Sequence, residues 1–260
     1  MKSMRAYYMC NTFRFAIVIF AIIIGQLLID NASAGDDTVI DSITIVLDPG
    51  HTHKSPGAVS ISGSYEVDYN DRFVSLLSKR ITKAGYHAVL TRDVNAEVSL
   101  DERSAITNNS HSKLFISIHH DSAQLQYLEQ LITAGKKAYQ TREPIAGYSI
   151  FVSKKNSEFE KSYSFATLLG EELLKLGRKP TLHHAEMIAG ESRPLLNKVL
   201  GIYQYDDLLV LKKAEIPAIL LEVGVIVDKQ DESYVTNPEN QNLMINAIIA
   251  SINKFIKKDS

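Results

Sequence analysis

Two histidines and a glutamate stand where three apolar runs of the sequence end. The first run ends in DPGH at His51, the second in SIH at His119, and the third in LLE at Glu222. Pro and Gly before His51 indicate a turn as the chain leaves a strand. If the runs are parallel strands, their carboxyl ends meet at the sheet edge where open α/β sheets bind ligands. We therefore expect the three side chains to converge.

A fourth candidate, Glu66, lies in the first turn of the helix predicted after His51, where the helix dipole favours an ionised carboxylate. Asn70, four residues later on the same helix face, is placed to hydrogen-bond it. Two neutral imidazoles and one carboxylate, with the fourth position left to water, are the ligands of a catalytic zinc site. The remaining glutamate would then accept a proton from the attacking water.

Each of these residues alone has an ordinary explanation. A histidine after Pro-Gly is often a turn residue, and a first-turn glutamate is often only a partner of the helix dipole. The metal site is favoured by their convergence. His119 and His120 are adjacent, and neighbouring residues of a strand face opposite sides. Only one of them shares the metal with His51, and we assign His119.

The elements that must position these residues alternate along the chain. β-branched runs predict strands at 43–47, 87–91, 114–119, 148–152 and 218–222. Helical spacing and capping signals predict helices at 66–84, 99–108 and 159–176, and a last helix that begins at Pro238 with Asn237 as its cap. This alternation predicts a single α/β domain with a mainly parallel sheet that has helices on both faces.

The first thirty-four residues have the pattern of a secretory signal peptide. Three basic residues and no acidic residue precede an apolar run at 15–29, and Ala-Ser-Ala ends at Ala34. We predict cleavage after Ala34, a catalytic domain at 35–260, and export to the periplasm, with the cell exterior as the alternative destination. An uncleaved membrane anchor is the alternative for the apolar run, which is short for a span.

Composition excludes several other classes. The 260 residues carry a net charge of −2, which offers no broad basic field for nucleic acid. The single cysteine, Cys10, excludes an internal disulfide and a cysteine metal cage. We expect a monomer.

The chain resembles the zinc-dependent N-acetylmuramoyl-L-alanine amidases called amidase type 3. The resemblance runs from about residue 43 to 255. The residues that carry it are IVLDPGH at 45–51, GA at 57–58, Glu66 with Asn70, GY at 85–86 leading to LTR at 90–92, Leu100 with Arg103, LFISIH at 114–119, and the stretch from IPA at 216–218 to Gly224. The pair His120-Asp121 departs from the family, in which a small residue and an asparagine are usual.

The resemblance implies that His51, Glu66 and His119 bind Zn²⁺ and that Glu222 is the catalytic acid and base. It implies hydrolysis of the amide between N-acetylmuramic acid and L-alanine in peptidoglycan. A zinc peptidase that cuts the stem peptide is one alternative, and a non-catalytic wall-binding or regulatory module is another. Arg193, in a predicted loop, is a candidate for binding a stem-peptide carboxylate, with a surface arginine as the alternative.

The segment 122–147 is an insertion whose leucine spacing is compatible with an amphipathic helix. Related cell-division amidases carry a helix there that covers the zinc site until an activator protein displaces it. By that resemblance Glu129 is the candidate blocking residue. The alternative is a wall of the substrate groove. The adjacent His183 and His184 are predicted loop residues, for which a second metal site is the alternative.

Overall fold

The computed structural model describes residues 43–189 and 192–259. The predicted signal peptide, its cleavage site and the predicted start of the catalytic domain lie outside these residues. Within the described ranges, no helix combines the length and the apolarity needed to cross a membrane.

A seven-stranded mixed sheet forms the centre of the fold. The strands of the described chain are β1 (Thr44–Pro49), β2 (His87–Leu90), β3 (Leu114–Asp121), β4 (Leu128–Thr133), β5 (Lys136–Thr141), β6 (Ser149–Val152), β7 (Leu195–Asn197), β8 (Ile202–Gln204) and β9 (Ala218–Val225). The order in the sheet is β2-β1-β3-β9-β6-β8-β7. β9 with β6 and β8 with β7 are antiparallel, and the other neighbours are parallel. The predicted fold class is therefore confirmed.

The predicted helices are also present. The helices of the described chain are α1 (Glu66–Lys83), α2 (Leu100–Asn109), α3 (Phe159–Lys175), α4 (Leu209–Lys212), α5 (Lys229–Thr236) and α6 (Pro238–Asp259). The predicted capping box begins α2. The Ser99 hydroxyl accepts from the Glu102 N–H at 3.2 Å, and the Glu102 carboxylate accepts from the Ser99 N–H at 2.8 Å. Two backbone donors at the helix start are thereby satisfied.

Alternating residues of the central strands bury both faces of the sheet. Ile45 and Leu47 of β1 belong to a large apolar cluster with α1, α3 and α6, whereas Val46 between them belongs to a smaller cluster with α4. This is the burial expected of parallel strands covered on both sides. Their carboxyl ends, where the candidate residues stand, are consequently held by packing on two sides.

The insertion at 122–147 forms a β-ribbon, so the prediction of an amphipathic helix there is wrong. A short 3₁₀ turn at Leu125–Tyr127 leads into β4, which pairs antiparallel with β5. Ala134 and Gly135 at the tip have φ of 47° and 73°, as a type I′ hairpin turn requires. Leu128 packs on Val225 and Val227. The leucine spacing of three suggested a helix, but in strands it places the side chains on alternate faces.

Candidate metal centre

Three side chains from different elements meet at the carboxyl edge of the sheet. His51 follows β1, Glu66 begins α1, and His119 lies near the end of β3. The distance from His51 Nε2 to Glu66 Oε2 is 3.0 Å, and that from His119 Nδ1 to Glu66 Oε1 is also 3.0 Å. One potential ligand atom from each residue lies within 4.8 Å of the other two. The predicted convergence is present, while the assignment of the three residues as ligands stays a prediction.

His51 is presented by a strained turn that two arginines hold. Its φ of 63° lies in the left-handed region, which is costly for a residue with a Cβ. The Arg103 guanidinium donates to the His51 carbonyl at 2.6 Å, and Arg92 Nε donates to the same oxygen at 2.8 Å. Arg92 also donates to the carbonyl of Gly50 at 3.0 Å. These bonds fix the direction in which the imidazole leaves the sheet.

A buried ion pair anchors this turn to β1. The Asp48 carboxylate accepts from Arg103 at 2.6 Å, from the Ser117 hydroxyl at 2.6 Å and from the Thr91 hydroxyl at 2.5 Å. Burial by itself would raise the pKa of Asp48, but the charge of Arg103 and these hydrogen bonds lower it overall. Asp48 is therefore ionised at neutral pH and keeps Arg103 under His51.

Two glycines allow the candidate ligands to approach the backbone. A Cβ on Gly50 would lie 2.2 Å from His119 Nε2. A Cβ on Gly57, which has a φ of 75°, would lie 2.3 Å from Glu66 Oε2 and 2.9 Å from a ring carbon of His51. Any larger residue at either position would displace a member of the cluster.

Glu66 is held as an ionised acceptor. The backbone N–H groups of Ala58 and His120 donate to its two oxygens at 3.2 and 3.3 Å, and Asn70 donates at 3.3 Å, which is the hydrogen bond predicted from the sequence. Burial favours a higher pKa, but the hydrogen bonds and charges of His119 and His51 lower the pKa of Glu66 overall. A charged carboxylate beside two imidazoles is the form that a metal ion requires.

His120 faces away from the cluster. It is buried beside Tyr69 and Phe73, and its Nδ1 lies 2.8 Å from Asn70 Oδ1. Because the amide nitrogen of Asn70 donates to Glu66, its oxygen is the acceptor and His120 Nδ1 is the donor. Burial lowers the pKa of His120 to about 3, so it is neutral at pH 7. Of the two adjacent histidines, the structure brings His119 to Glu66 and leaves His120 as a support of Asn70.

Glu222 lies on β9 directly beside His119 of β3. One of its carboxylate oxygens, Oε2, is buried and has no hydrogen-bond partner among the described residues. Burial, with the negative charges of Asp121 and Glu66 nearby, raises the pKa of Glu222 well above its ordinary value. A buried carboxyl with a raised pKa and an unpartnered oxygen is typical of a functional group.

Two cavities border the cluster. The larger has a volume of about 640 Å³ and is lined by His51, Glu97 and Leu100, while the smaller has about 380 Å³ and is lined by Glu222 and Arg193. His119 lines both cavities and stands between them. The Arg193 guanidinium lies 4.0 Å from the centre of the Tyr205 ring, so its charge is held at the wall of the smaller cavity.

Glu129, the candidate blocking residue, lies exposed on β4. Its carboxylate accepts a hydrogen bond from Gln140 of β5. The acidic group that meets His51 and His119 in the described residues is Glu66. The residues that line the two cavities come from outside the segment 122–147. The ribbon is thus neither a cover nor a wall of these cavities in this conformation.

Comparisons with known proteins agree on one family. Residues 45–254 match the family model Amidase_3, described as N-acetylmuramoyl-L-alanine amidase. The chain is 28% identical over 214 residues to a probable cell wall amidase, LytH, of Staphylococcus epidermidis, covering 82% of this chain and 58% of the relative. The chain therefore spans less than two thirds of that relative.

Solved structures share the fold. The amidase Ami1 from Mycobacterium smegmatis superposes with a TM-score of 0.65 at 20% identity, covering 83% of this chain and 97% of that one. The CwlD amidase from Clostridioides difficile, solved in complex with the GerS lipoprotein, gives 0.61 at 22% identity, covering 83% and 99%.

Proposed function

This chain belongs to the N-acetylmuramoyl-L-alanine amidase family Amidase_3, and from that premise we propose that it is a zinc-dependent hydrolase of peptidoglycan. The bond cleaved is the amide between N-acetylmuramic acid and L-alanine. The observation that carries the proposal is the position of Glu222 with an unpartnered oxygen beside the cluster of His51, Glu66 and His119.

The residues of the cluster fit a zinc ion. Two imidazoles and one carboxylate with a remaining open position are the donor set of catalytic zinc sites. His51 Nδ1 donates to the carbonyl of Ser55 at 3.1 Å, which leaves Nε2 unprotonated toward Glu66 when the ring is neutral. His119 approaches Gly50 closely, and Glu66 and His51 approach Gly57 closely. A side chain at either glycine would collide with these residues.

When bound, zinc would supply a Lewis acid that polarises the scissile carbonyl and makes a water more acidic. Glu222 accepts a proton from the water whose oxygen attacks the carbonyl carbon. As the carbon–nitrogen bond breaks, Glu222 returns the proton to the amine nitrogen of L-alanine. Arg92 and Arg103 keep His51 in place throughout, because both donate to its backbone carbonyl, and Asp48 holds Arg103 there by accepting from its guanidinium.

The two parts of the substrate on either side of the scissile amide occupy different cavities. We place the stem peptide in the smaller cavity, because Arg193 there offers a positive charge to a stem-peptide carboxylate. The muramic acid then lies in the larger cavity, on the other side of His119. A protein acting on this polymer must be exported, in accord with the predicted signal peptide and with periplasm as the predicted destination.

An activator protein that displaces the ribbon stays a prediction. The solved CwlD complex supports a protein partner for amidases of this fold. The exposed position of Glu129, paired with Gln140, supports no blocking contact in this chain.

The proposal is tested by the products released from peptidoglycan by the zinc-loaded protein and by a sample treated with chelator. Mass spectrometry should find free stem peptides that begin at L-alanine, and only in the zinc-loaded sample. Shortened stems with intact muramoyl amides would establish the peptidase instead. If neither sample releases products although the protein is folded and the first sample contains zinc, the result would favour the non-catalytic module.

A further inference from the structure

A second group of potential metal ligands lies at the same edge of the sheet. Asp121 ends β3, and His183 and His184 form a short 3₁₀ turn between α3 and β7. Asp121 Oδ2 lies 2.7 Å from His184 Nε2 and 3.4 Å from His183 Nε2, so both imidazoles converge on one carboxylate oxygen. The three ligand atoms lie within 4.8 Å of one another.

The Nε2 atom of His183 is buried without a hydrogen-bond partner in the described structure. The residue is only 5% exposed, and its other nitrogen, Nδ1, lies 2.6 Å from the Thr181 hydroxyl. If Nδ1 donates to Thr181, Nε2 directs a lone pair at the Asp121 carboxylate, and two acceptors face each other. A cation between them would satisfy both atoms.

The carboxylate is oriented for such a cation. Asp121 Oδ1 accepts from the backbone N–H of Ser122 at 2.8 Å, which leaves Oδ2 directed at the two histidines. Ligands bound tetrahedrally at about 2.0–2.2 Å from an ion lie about 3.4 Å apart. The separations of 2.7 and 3.4 Å from Oδ2 need only a small adjustment to reach this geometry.

We propose that Asp121, His183 and His184 form a second metal site, which takes a divalent transition-metal ion, with Zn²⁺ the ion favoured by two imidazoles and one carboxylate. The site is separate from His51, Glu66 and His119. Its ion ties the loop after α3 to the end of β3. The backbone N–H of Arg193 donates to the carbonyl of His184 at 2.7 Å, so the ion also steadies Arg193, one of the residues that line the smaller cavity.

The test counts zinc ions in the full chain by native mass spectrometry, after metal removal, zinc loading and buffer exchange. The wild type should retain two ions, His184→Gln one, His51→Gln one, and the double variant none. In His184→Gln the new amide can still donate to Asp121, so the variant should fold, and circular dichroism checks this. Asp121→Asn, which keeps the shape of the side chain, is the second variant and should also retain one ion. The exposed His87→Gln is the matched control and should retain two.

Two results would overturn the site. One is a wild type with a single ion that His51→Gln loses and His184→Gln keeps, because the trio would then be a hydrogen-bonded network without metal. The other is a second ion that survives in both His184→Gln and Asp121→Asn. A single ion lost in His184→Gln and kept in His51→Gln would support this site and count against the catalytic centre proposed above.

Discussion

The Arg103 guanidinium donates to the backbone carbonyl of His51 at 2.6 Å. The same guanidinium binds the buried carboxylate of Asp48. A residue of α2 therefore controls the strained turn that presents the first candidate ligand, through its bond to the backbone of that ligand. Because this contact fixes the backbone of His51, we expect substitution of Arg103 to change metal affinity.

Arg103→Lys should weaken zinc binding at the first site by about 10- to 100-fold, the usual cost of losing a group that orients a ligand. Lysine keeps the charge but cannot bond Asp48 and the His51 carbonyl together in the planar fork of arginine. Affinity is measured by chelator competition in the His184→Gln background, where the second site is absent. Arg80→Lys, at a partly exposed arginine of α1 that hydrogen-bonds Asn246, is the control. Equal zinc affinity in both variants would show that the conformation of the His51 turn does not depend on Arg103.

Asp48→Asn should lower the free energy of unfolding by about 3–5 kcal/mol at pH 7, because it leaves Arg103 buried without its counter-ion. The folded-state pKa of Asp48 is lowered, so its stabilisation is complete above the unfolded pKa of about 3.9 and is lost as pH falls through the folded pKa. Urea unfolding of metal-free protein should show the difference between wild type and variant shrinking below about pH 4. Asp101→Asn, at a surface ion pair, should cost less than about 1 kcal/mol. A difference that does not change with pH would contradict the assignment.

The convergence of His51, His119 and Glu222 could be predicted because it depends only on strand ends in a parallel sheet. The hydrogen bond from Asn70 followed from helical spacing. The roles of Arg92 and Arg103 could not be read in this way, since their bonds reach carbonyl groups 41 to 54 residues away and depend on tertiary packing.

The ribbon and the strands β7 and β8 were missed for different reasons. β7 and β8 have three residues each, too few for a periodic pattern. In the ribbon, the Ala-Gly tip carried the hairpin signal, but the leucine spacing at 125–132 matched a helix equally well. The group of Asp121, His183 and His184 joins residues about 60 positions apart in sequence, so only the histidine pair was visible.

Glu222→Gln should keep the zinc content and the fold while lowering turnover by about a hundredfold to ten-thousandfold, the usual contribution of a general base. Glutamine has the shape of glutamate but cannot carry the transferred proton. Turnover on a soluble muramoyl peptide and zinc content are measured on the same preparation. Glu215→Gln, at an exposed glutamate, should behave as wild type. Turnover within a factor of about three of wild type would remove Glu222 from the mechanism.

His119→Ala should change the zinc content of the protein, whereas His120→Ala should change its stability. The first removes a ligand and should cost one zinc ion per chain. The second empties a buried site and breaks the bond to Asn70, so it should lower the free energy of unfolding by about 2–5 kcal/mol while the zinc count stays the same. Native mass spectrometry and urea unfolding measure the two quantities. Loss of zinc in His120→Ala but not in His119→Ala would show that His120 binds the metal.

Shortening the ribbon should leave hydrolysis unchanged. Replacing residues 130–139 by Asn-Gly joins Glu129 to its partner Gln140 through a two-residue turn and keeps Leu128 on Val225 and Val227. Because the removed residues line neither cavity, kcat/KM on a soluble muramoyl peptide should stay within about threefold of wild type. Glu129→Ala in the intact ribbon is the matched variant and should also match wild type. A rise of about tenfold or more in either variant would establish that the ribbon restrains the enzyme and would support an activator that displaces it.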